Sequence, residues 1–382
     1  MQNKNEEIES EYTDESLSFM EKPFDPTKIN IETKTPSLDT LIKRIERKSI
    51  QMDTTTYFQR KDDLWDKTKQ SRLIESILIR FPLPAFFFDA TDDNNWLVVD
   101  GLQRLSSIRN FCVEADSNKK LILCNLEFLS TLNGKSWNDI GVDLQRIIEE
   151  AQVVIYKIMP GTPTDVKFNI FKRINTGGLV LEAQEIRHAL FQGIPAKFID
   201  KLSKLDSFLQ ATNNKISPNR MLDRDFANRF LSYYLLGVSN YGSKDFGQDL
   251  DTYMSNAMAK LYDKTELELD QIITDFDRAM NIAHKIFGND CFRKPSLNGR
   301  KLPINKAIFD SLSTQIAILT KESSNLLLEN KAKFKIQFDN MFANNNDFVQ
   351  SVTSSTGDKK RTIYRHEAIQ NLIKNTITEQ ND

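Results

Sequence analysis

The chain has 382 residues, 40% of them hydrophobic and 27% charged, with a formal net charge of −2. That length is enough for two domains with real cores, and the near-neutral balance excludes a global basic field of the kind that binds nucleic acid indiscriminately. No apolar run approaches the ~18 residues of a membrane span.

Residues 1–36 carry nine acids against four lysines and no periodic apolar face, so a flexible acidic arm is expected there. It is too acidic and polar for a secretory signal. Ser37 then opens a helix to Lys48, with Leu38, Leu41, Ile42 and Ile45 on one stripe and Lys43, Arg44, Arg47 and Lys48 crowding its later part. Tyr57-Phe-Gln-Arg60 and Asp63-Leu-Trp65 set aromatics around a basic residue. A helix follows from Ser71 to Arg80 and stops before Phe81-Pro82-Leu83-Pro84. Ala85 to Asp89 and Trp96 to Val99 read as a hairpin around Asp92-Asp-Asn-Asn95. That hairpin delivers the chain to Asp100-Gly101 and to a helix carrying Leu105, Ile108, Phe111 and Cys112.

Further on, Leu121 to Phe128 is strand-like, Leu144 to Glu150 helical, and Ala151 to Ile158 a strong strand. Thr162 and Pro163 start a helix that ends at Asn175-Thr-Gly-Gly178, and Glu182 to Phe191 forms another, with Gln184, Glu185 and Arg187 on its polar side. From about Ile216 the spacing is helical: Asp223 to Gly237, Asp249 to Tyr262, Glu266 to Phe287, Ile304 to Leu319, Ser323 to Met341 and His366 to Lys374. The reading is α+β, with an N-terminal α+β domain and a C-terminal all-helical domain meeting near Asn213 to Pro218. Arg293-Lys294, Arg300-Lys301 and Lys359-Lys-Arg361 are basic clusters in loop-like contexts. Such loops can grip a phosphate backbone, although surface solubility is the more frequent reason for them.

Cys112, Cys124 and Cys291 are odd in number and scattered, which fits reduced thiols in a cytoplasmic protein. His188, His284 and His366 are far apart, without His-x-x-x-His or Cys-x-x-Cys pairs, so neither a zinc site nor a Ser-His-Asp triad has support. A participating metal would be Mg²⁺ held by oxygens and substrate phosphates. The chemistry then falls on two stretches. In Trp96-Leu-Val-Val-Asp-Gly-Leu-Gln-Arg104 a buried strand turns at Gly101 into a helix N-terminus. There, unpaired N–H groups and the helix dipole attract phosphate, and Arg104 adds a forked cation. The plain alternative is an ordinary Asp-Gly turn. In Asn175-Thr-Gly-Gly178 the glycines offer bare backbone N–H groups, either an anion nest or a simple glycine C-cap.

Taken together, Tyr57-Phe-Gln-Arg60…Trp65, the hairpin into Asp100-Gly-Leu-Gln-Arg104, Phe171-Lys-Arg-Ile-Asn175-Thr-Gly-Gly178 and Leu181-Glu-Ala-Gln-Glu-Ile-Arg187 resemble the N-terminal domain of GmrSD-type modification-dependent restriction proteins. That domain is ParB/sulfiredoxin-like and known by an Asp-Gly-Gln-Gln-Arg motif. The helical remainder, to Phe348-Val-Gln-Ser-Val-Thr and Arg365, looks similar too. The domains expected are an arm over 1–36, a ParB/sulfiredoxin-like NTP-binding domain over 37–215 and a helical domain over 216–382.

The resemblance implies an NTP-binding domain, NTP-hydrolysing in several relatives, that controls a nuclease acting on foreign or modified phage DNA in antiviral defence. Carried over by position, Gly101 admits backbone to the phosphates and Arg104 clamps them. Asp100 holds a Mg²⁺–water or orients the nucleophile, and Gln103 positions the attacking water. Asn175, Thr176, Gly177 and Gly178 complete the phosphate or metal shell, and Arg60 is a second phosphate cation. Whether the nucleotide is GTP, ATP or CTP stays open. Leu102 stands where the family motif has its first Gln, which points to a binding switch with weak or absent hydrolysis. No His-rich ββα-metal segment follows, because after His284 only His366 remains. The chain therefore reads as a sensor or regulatory subunit, itself open to homo-oligomerisation, that works with a separate nuclease or effector. Two alternatives are a DNA-binding or protein-interaction module without nucleotide turnover and a metal-dependent DNA nuclease. Sulfiredoxin chemistry needs a cysteine in the loop before the helix, and Leu102-Gln103-Arg104 supplies none.

Overall fold

The computed structural model describes residues 7–9, 29–52, 65–174, 182–296 and 300–378. The chain divides into two compact units, one of residues 23–190 and one of residues 1–22 with 191–382.

The first unit is built on a five-stranded mixed sheet. Its strands are β1 (Ile31–Lys34), β2 (Ile50–Gln51), β3 (Phe86–Asp89), β4 (Trp96–Asp100) and β5 (Ile155–Ile158), in the order β1-β5-β3-β4-β2. The hairpin pair β3–β4 is antiparallel, while β5 runs parallel to β3 and β2 parallel to β4. Successive side chains of a strand face opposite sides, and here both sides are apolar. Phe86, Phe88, Trp96, Val98 and Ile155 enter one core, whereas Leu97, Val99 and Ile158 enter another. That explains the unbroken Trp-Leu-Val-Val run: the strand is covered on both faces.

The first face is covered by α1 (Leu38–Glu46), α2 (Lys67–Leu78), α3 (Leu102–Cys112) and α4 (Val142–Glu150). The second is covered by α5 (Thr164–Ile174) and α6 (Ala183–Leu190). Ser37 is the N-cap residue of α1 but makes no side-chain cap bond, whereas Asp66 caps α2 by accepting from the Lys69 N–H at 2.8 Å.

Several expectations are corrected. The supposed arm over 1–36 contributes structure at two places. Ile31–Lys34 is an edge strand antiparallel to β5, tied by a Lys157–Glu32 ion pair of 2.5 Å, and residues 7–9 lie on the second unit. Leu121 to Phe128 forms no strand. It is an irregular loop whose Glu127, Phe128 and Leu129 N–H groups donate to the Glu75 carboxylate at 2.7–3.1 Å. Gln184, Glu185 and Arg187 are buried, not solvated.

The second unit is helical: α7 (Ile194–Ser203), α8 (Asp206–Ala211), α9 (Leu222–Leu236), α10 (Leu250–Lys260), α11 (Glu266–Phe287), α12 (Lys306–Ala317), α13 (Lys321–Glu329), α14 (Lys331–Asn344), α15 (Asn346–Thr353) and α16 (Lys359–Thr378). The division between units falls after Leu190, earlier than the expected boundary at 215/216. The reason is aromatic packing. Phe208 of α8 meets Phe276 of α11 at 5.8 Å and Phe309 of α12 at 6.2 Å, so α7 and α8 join the helices that follow them. The expected helix from Ser323 to Met341 breaks at Asn330, and Asn305 caps α12 by accepting from the Ile308 N–H at 2.8 Å. At the centre of this unit Arg229 grips Asp310 through two hydrogen bonds of 2.9 and 2.8 Å, and Arg365 approaches the same carboxylate at 3.7 Å. No helix among the described residues is long and apolar enough to cross a membrane.

Candidate functional site

The sheet delivers Asp100 at the end of β4, and Gly101 makes the turn into α3 with φ +97°. Glycine is required here on two counts. Positive φ is strained for any residue with a Cβ, and a Cβ on Gly101 would lie 2.5 Å from the Phe86 ring. Backbone at this position therefore lies close against the Phe86 ring. The first N–H groups of α3 have no acceptor within the helix.

Arg104 is only 9% exposed. Its guanidinium donates to the Pro84 carbonyl, to the Ala85 carbonyl at 3.2 Å and to Asp100 Oδ2 at 2.9 Å. It also lies 4.6 Å from the centre of the Phe86 ring. Burial pulls its pKa down and the Asp100 charge opposes that, so it stays charged. In this geometry Arg104 stitches the entry of β3 to the start of α3. Asp100 closes the same stitch with one oxygen while its side chain keeps 37% exposure. The Gln103 carboxamide oxygen accepts the Trp65 N–H at 3.2 Å. Leu102 packs against the core on the α3 side of the sheet. Behind them Asn110 donates to Gln70 Oε1 at 3.1 Å and Gln70 donates to the Trp65 carbonyl at 2.8 Å, fixing α3 to α2.

Asp100, Gly101, Gln103 and Arg104 thus come together at one strand-to-helix junction. Arg60, Asn175, Thr176, Gly177 and Gly178 lie outside the described residues. The last described residue before that second stretch, Ile174, joins the same apolar cluster as Val99 and Phe87, and Phe87 is the register partner of Asp100.

The structure adds one cluster that sequence reasoning missed, and it buries polar residues that reasoning had placed on a solvated side. Lys167 of α5 donates to both Asp89 carboxylate oxygens, at 3.2 and 2.9 Å, and to the Thr91 hydroxyl. All this is at the hairpin-turn end of β3, away from Gly101, since Asp89 pairs with Leu97. In α6, Arg187 donates to Gln184 Oε1 at 2.9 Å and lies 5.8 Å from the Phe168 ring, while Glu185 accepts the Glu182 N–H at 2.8 Å. A dense polar run inside a helix that also carries the apolar stripe was the available signal for these.

Asp100 is the carboxylate of the motif, and no group of three or more metal-ligating side chains forms among the described residues. With Oδ2 held by Arg104, Asp100 fits a Mg²⁺ only as a single carboxylate ligand to an ion brought in on phosphates, the ordinary mode for that ion.

A mixed sheet covered on both faces, with a glycine turn leading from an inner strand to a helix N-terminus, defines an α+β domain. Residues 38–192 match the family model described as GmrSD restriction endonuclease, N-terminal domain, and this part of the chain is a GmrSD-type N-terminal domain. No curated protein and no solved structure matches the chain.

Proposed function

We propose that the N-terminal unit is a nucleoside-triphosphate-binding regulatory domain of a restriction system directed at foreign DNA, acting with a separate nuclease or effector. The observation that carries the reading is the Gly101 junction, in which a bare backbone turn and a helix N-terminus sit at the end of an inner strand within a GmrSD-type domain. Phosphate oxygens would be met by the first-turn N–H groups of α3 and by Gln103, with Mg²⁺ carried on the phosphates. Arg104, paired with Asp100 and two carbonyls, serves chiefly to hold that turn in place, and its remaining donor capacity faces the phosphates.

Leu102 sets the outcome of binding. Its side chain packs on the core where the family motif has a carboxamide, so the domain binds nucleotide with little turnover. The same observation favours a second reading, a DNA- or protein-interaction module in which the junction is only a fold element.

A thermal-shift series with four NTPs and Mg²⁺ at about 1 mM separates the two, since a ligand that binds only the folded state raises Tm. At least one NTP is expected to do so. Arg104→Lys, which loses the fork, should weaken that nucleotide about tenfold or more. Leu102→Gln should raise hydrolysis. Failure of every NTP to move Tm would leave only the second reading.

A further inference from the structure

The first described residues of the chain lie against a basic loop of the helical unit. Ile8 forms a parallel bridge with Ile304, and Ile304 bridges Arg293 in the antiparallel sense. Two backbone bonds hold the segment: Glu9 N–H donates to the Ile304 carbonyl at 2.8 Å, and Ile304 N–H donates to the Glu7 carbonyl at 2.9 Å. In extended backbone, residues 7 and 9 share a side, and both find cations. Lys215 reaches Glu7 at 3.0 Å, and Lys294 reaches Glu9 at 2.6 Å, where Asn305 also donates at 3.0 Å. The Glu7 carboxyl is held below the usual carboxylate range, chiefly by the Lys215 hydrogen bond, with the charges of Lys215, Arg293 and Lys301 adding to it.

Beside this segment sits an under-used cation. Arg293 is 4% exposed and donates Nη1 to the Leu302 carbonyl, yet its Nε and Nη2 have no hydrogen-bond partner among the described residues. Buried charged donors left idle are costly, and a guanidinium fork is shaped for phosphate oxygens. Without Glu7 and Glu9, the charges named here would be Lys215, Arg293, Lys294 and Lys301 against Asp290, which also faces Arg293.

We propose that this surface binds the phosphate backbone of duplex DNA, and that the acidic segment at Glu7 and Glu9 occupies it as an autoinhibitory strap. The strap is held weakly enough to be displaced. It has two backbone bonds, a half-exposed Lys215–Glu7 pair of the kind that contributes little, and one more sheltered contact, Glu9 with Lys294 and Asn305. A duplex brings many phosphates and gains from counterion release. The sequence continues in kind, with Glu11, Asp14 and Glu15. The choice of duplex DNA as the polyanion rests on the restriction reading above, but the surface is independent of the nucleotide site.

The experiment measures anisotropy of a labelled duplex with full-length protein and with Glu7→Gln/Glu9→Gln, at about 50 and 200 mM salt. The double variant should bind about tenfold more tightly at low salt, and the gain should shrink at high salt. Adding Lys294→Gln/Lys301→Gln should remove the gain. Equal affinity of wild type and double variant overturns the proposal, as does a gain that survives loss of the two lysines. Polyglutamate that competes as well as the duplex would overturn the assignment to DNA. NTP thermal shifts on the same proteins show both that they are folded and whether the nucleotide reading stands, so the two failures are told apart.

Discussion

Two arginine–aspartate pairs mark the two units, and they differ in what surrounds them. Asp100–Arg104 joins residues four apart across a turn, and its carboxylate side chain is 37% exposed. Arg229–Asp310 joins residues far apart in sequence, with side chains 3% and 0% exposed, and Arg365 shares the same carboxylate. The first pair keeps contact with water, so its partners can be exchanged for a ligand. In the second, every charge has been stripped of solvent and is compensated only while the whole set is present. The proposed nucleotide site draws on the first pair, whereas the second holds the helical unit together.

That contrast is tested most severely by Asp310→Asn. It leaves two buried guanidinium groups without their counter-charge and should cost about 3–5 kcal/mol in denaturant unfolding. A loss below about 1 kcal/mol would make the sealed pair no different from the open one. His366, beside Arg365, extends the comparison to pH. Burial first, and the Arg365 charge second, push its pKa well below the ordinary value, and neither ring nitrogen has a hydrogen-bond partner among the described residues. The folded state resists protonation more than the unfolded chain does. Its contribution is therefore intact above the unfolded value of about 6.5 and is lost as pH falls below it, at about 1.4 kcal/mol per pH unit. His366→Phe should flatten the pH dependence of Tm between neutrality and pH about 5.

Smaller effects are expected around the open pair. Gly101→Ala forces a Cβ against Phe86 at φ +97° and should cost about 1–3 kcal/mol, with loss of nucleotide response. Glu75→Gln should cost about as much, because three loop N–H groups converge on that carboxylate. Burial alone would raise the Glu75 pKa, but those hydrogen bonds from Leu129, Glu127 and Phe128 outweigh it and hold the pKa below the usual range. Its contribution is thus present above the unfolded value and disappears as pH drops through the folded one, so the variant should lose acid sensitivity below pH about 4. Least of all, Asp100→Asn should change stability by no more than about 1 kcal/mol. A loss as large as that of Asp310→Asn would erase the distinction between the pairs.

Much of the site was legible in the chain because its signals are local. The alternation of the hairpin, the Asp-Gly turn and the helix spacing after it all lie within Ala85–Cys112, and β3, β4 and α3 follow them. What Arg104 touches was not legible, because the Pro84 and Ala85 carbonyls reach it only through the pairing of β3 with β4. Glu75 was opaque for the same reason: its partners lie more than fifty residues away. Leu121 to Phe128 has the composition of a strand, but its backbone bonds go singly to Asn110, Gly134 and Lys135 and its later N–H groups go to Glu75, so no ladder forms. The helices α7 and α8 drew no expectation, and Phe208 on Phe276 and Phe309 ties them to the helices that follow. Ile31–Lys34 was masked by the acids around it, since a four-residue edge strand with one partner carries almost no apolar signature.

The bridge between Ile8 and Ile304 sets an order of events during synthesis. The segment carrying Glu7 and Glu9 leaves the ribosome first, yet its docking edge emerges roughly 300 residues later, a delay of about 15–60 s at ordinary translation rates. Throughout that interval the strap has nowhere to go, and the basic loop, once made, is uncovered until the two meet. On the proposed strap, closure is therefore a late step that waits for the Arg293–Ile304 edge to fold.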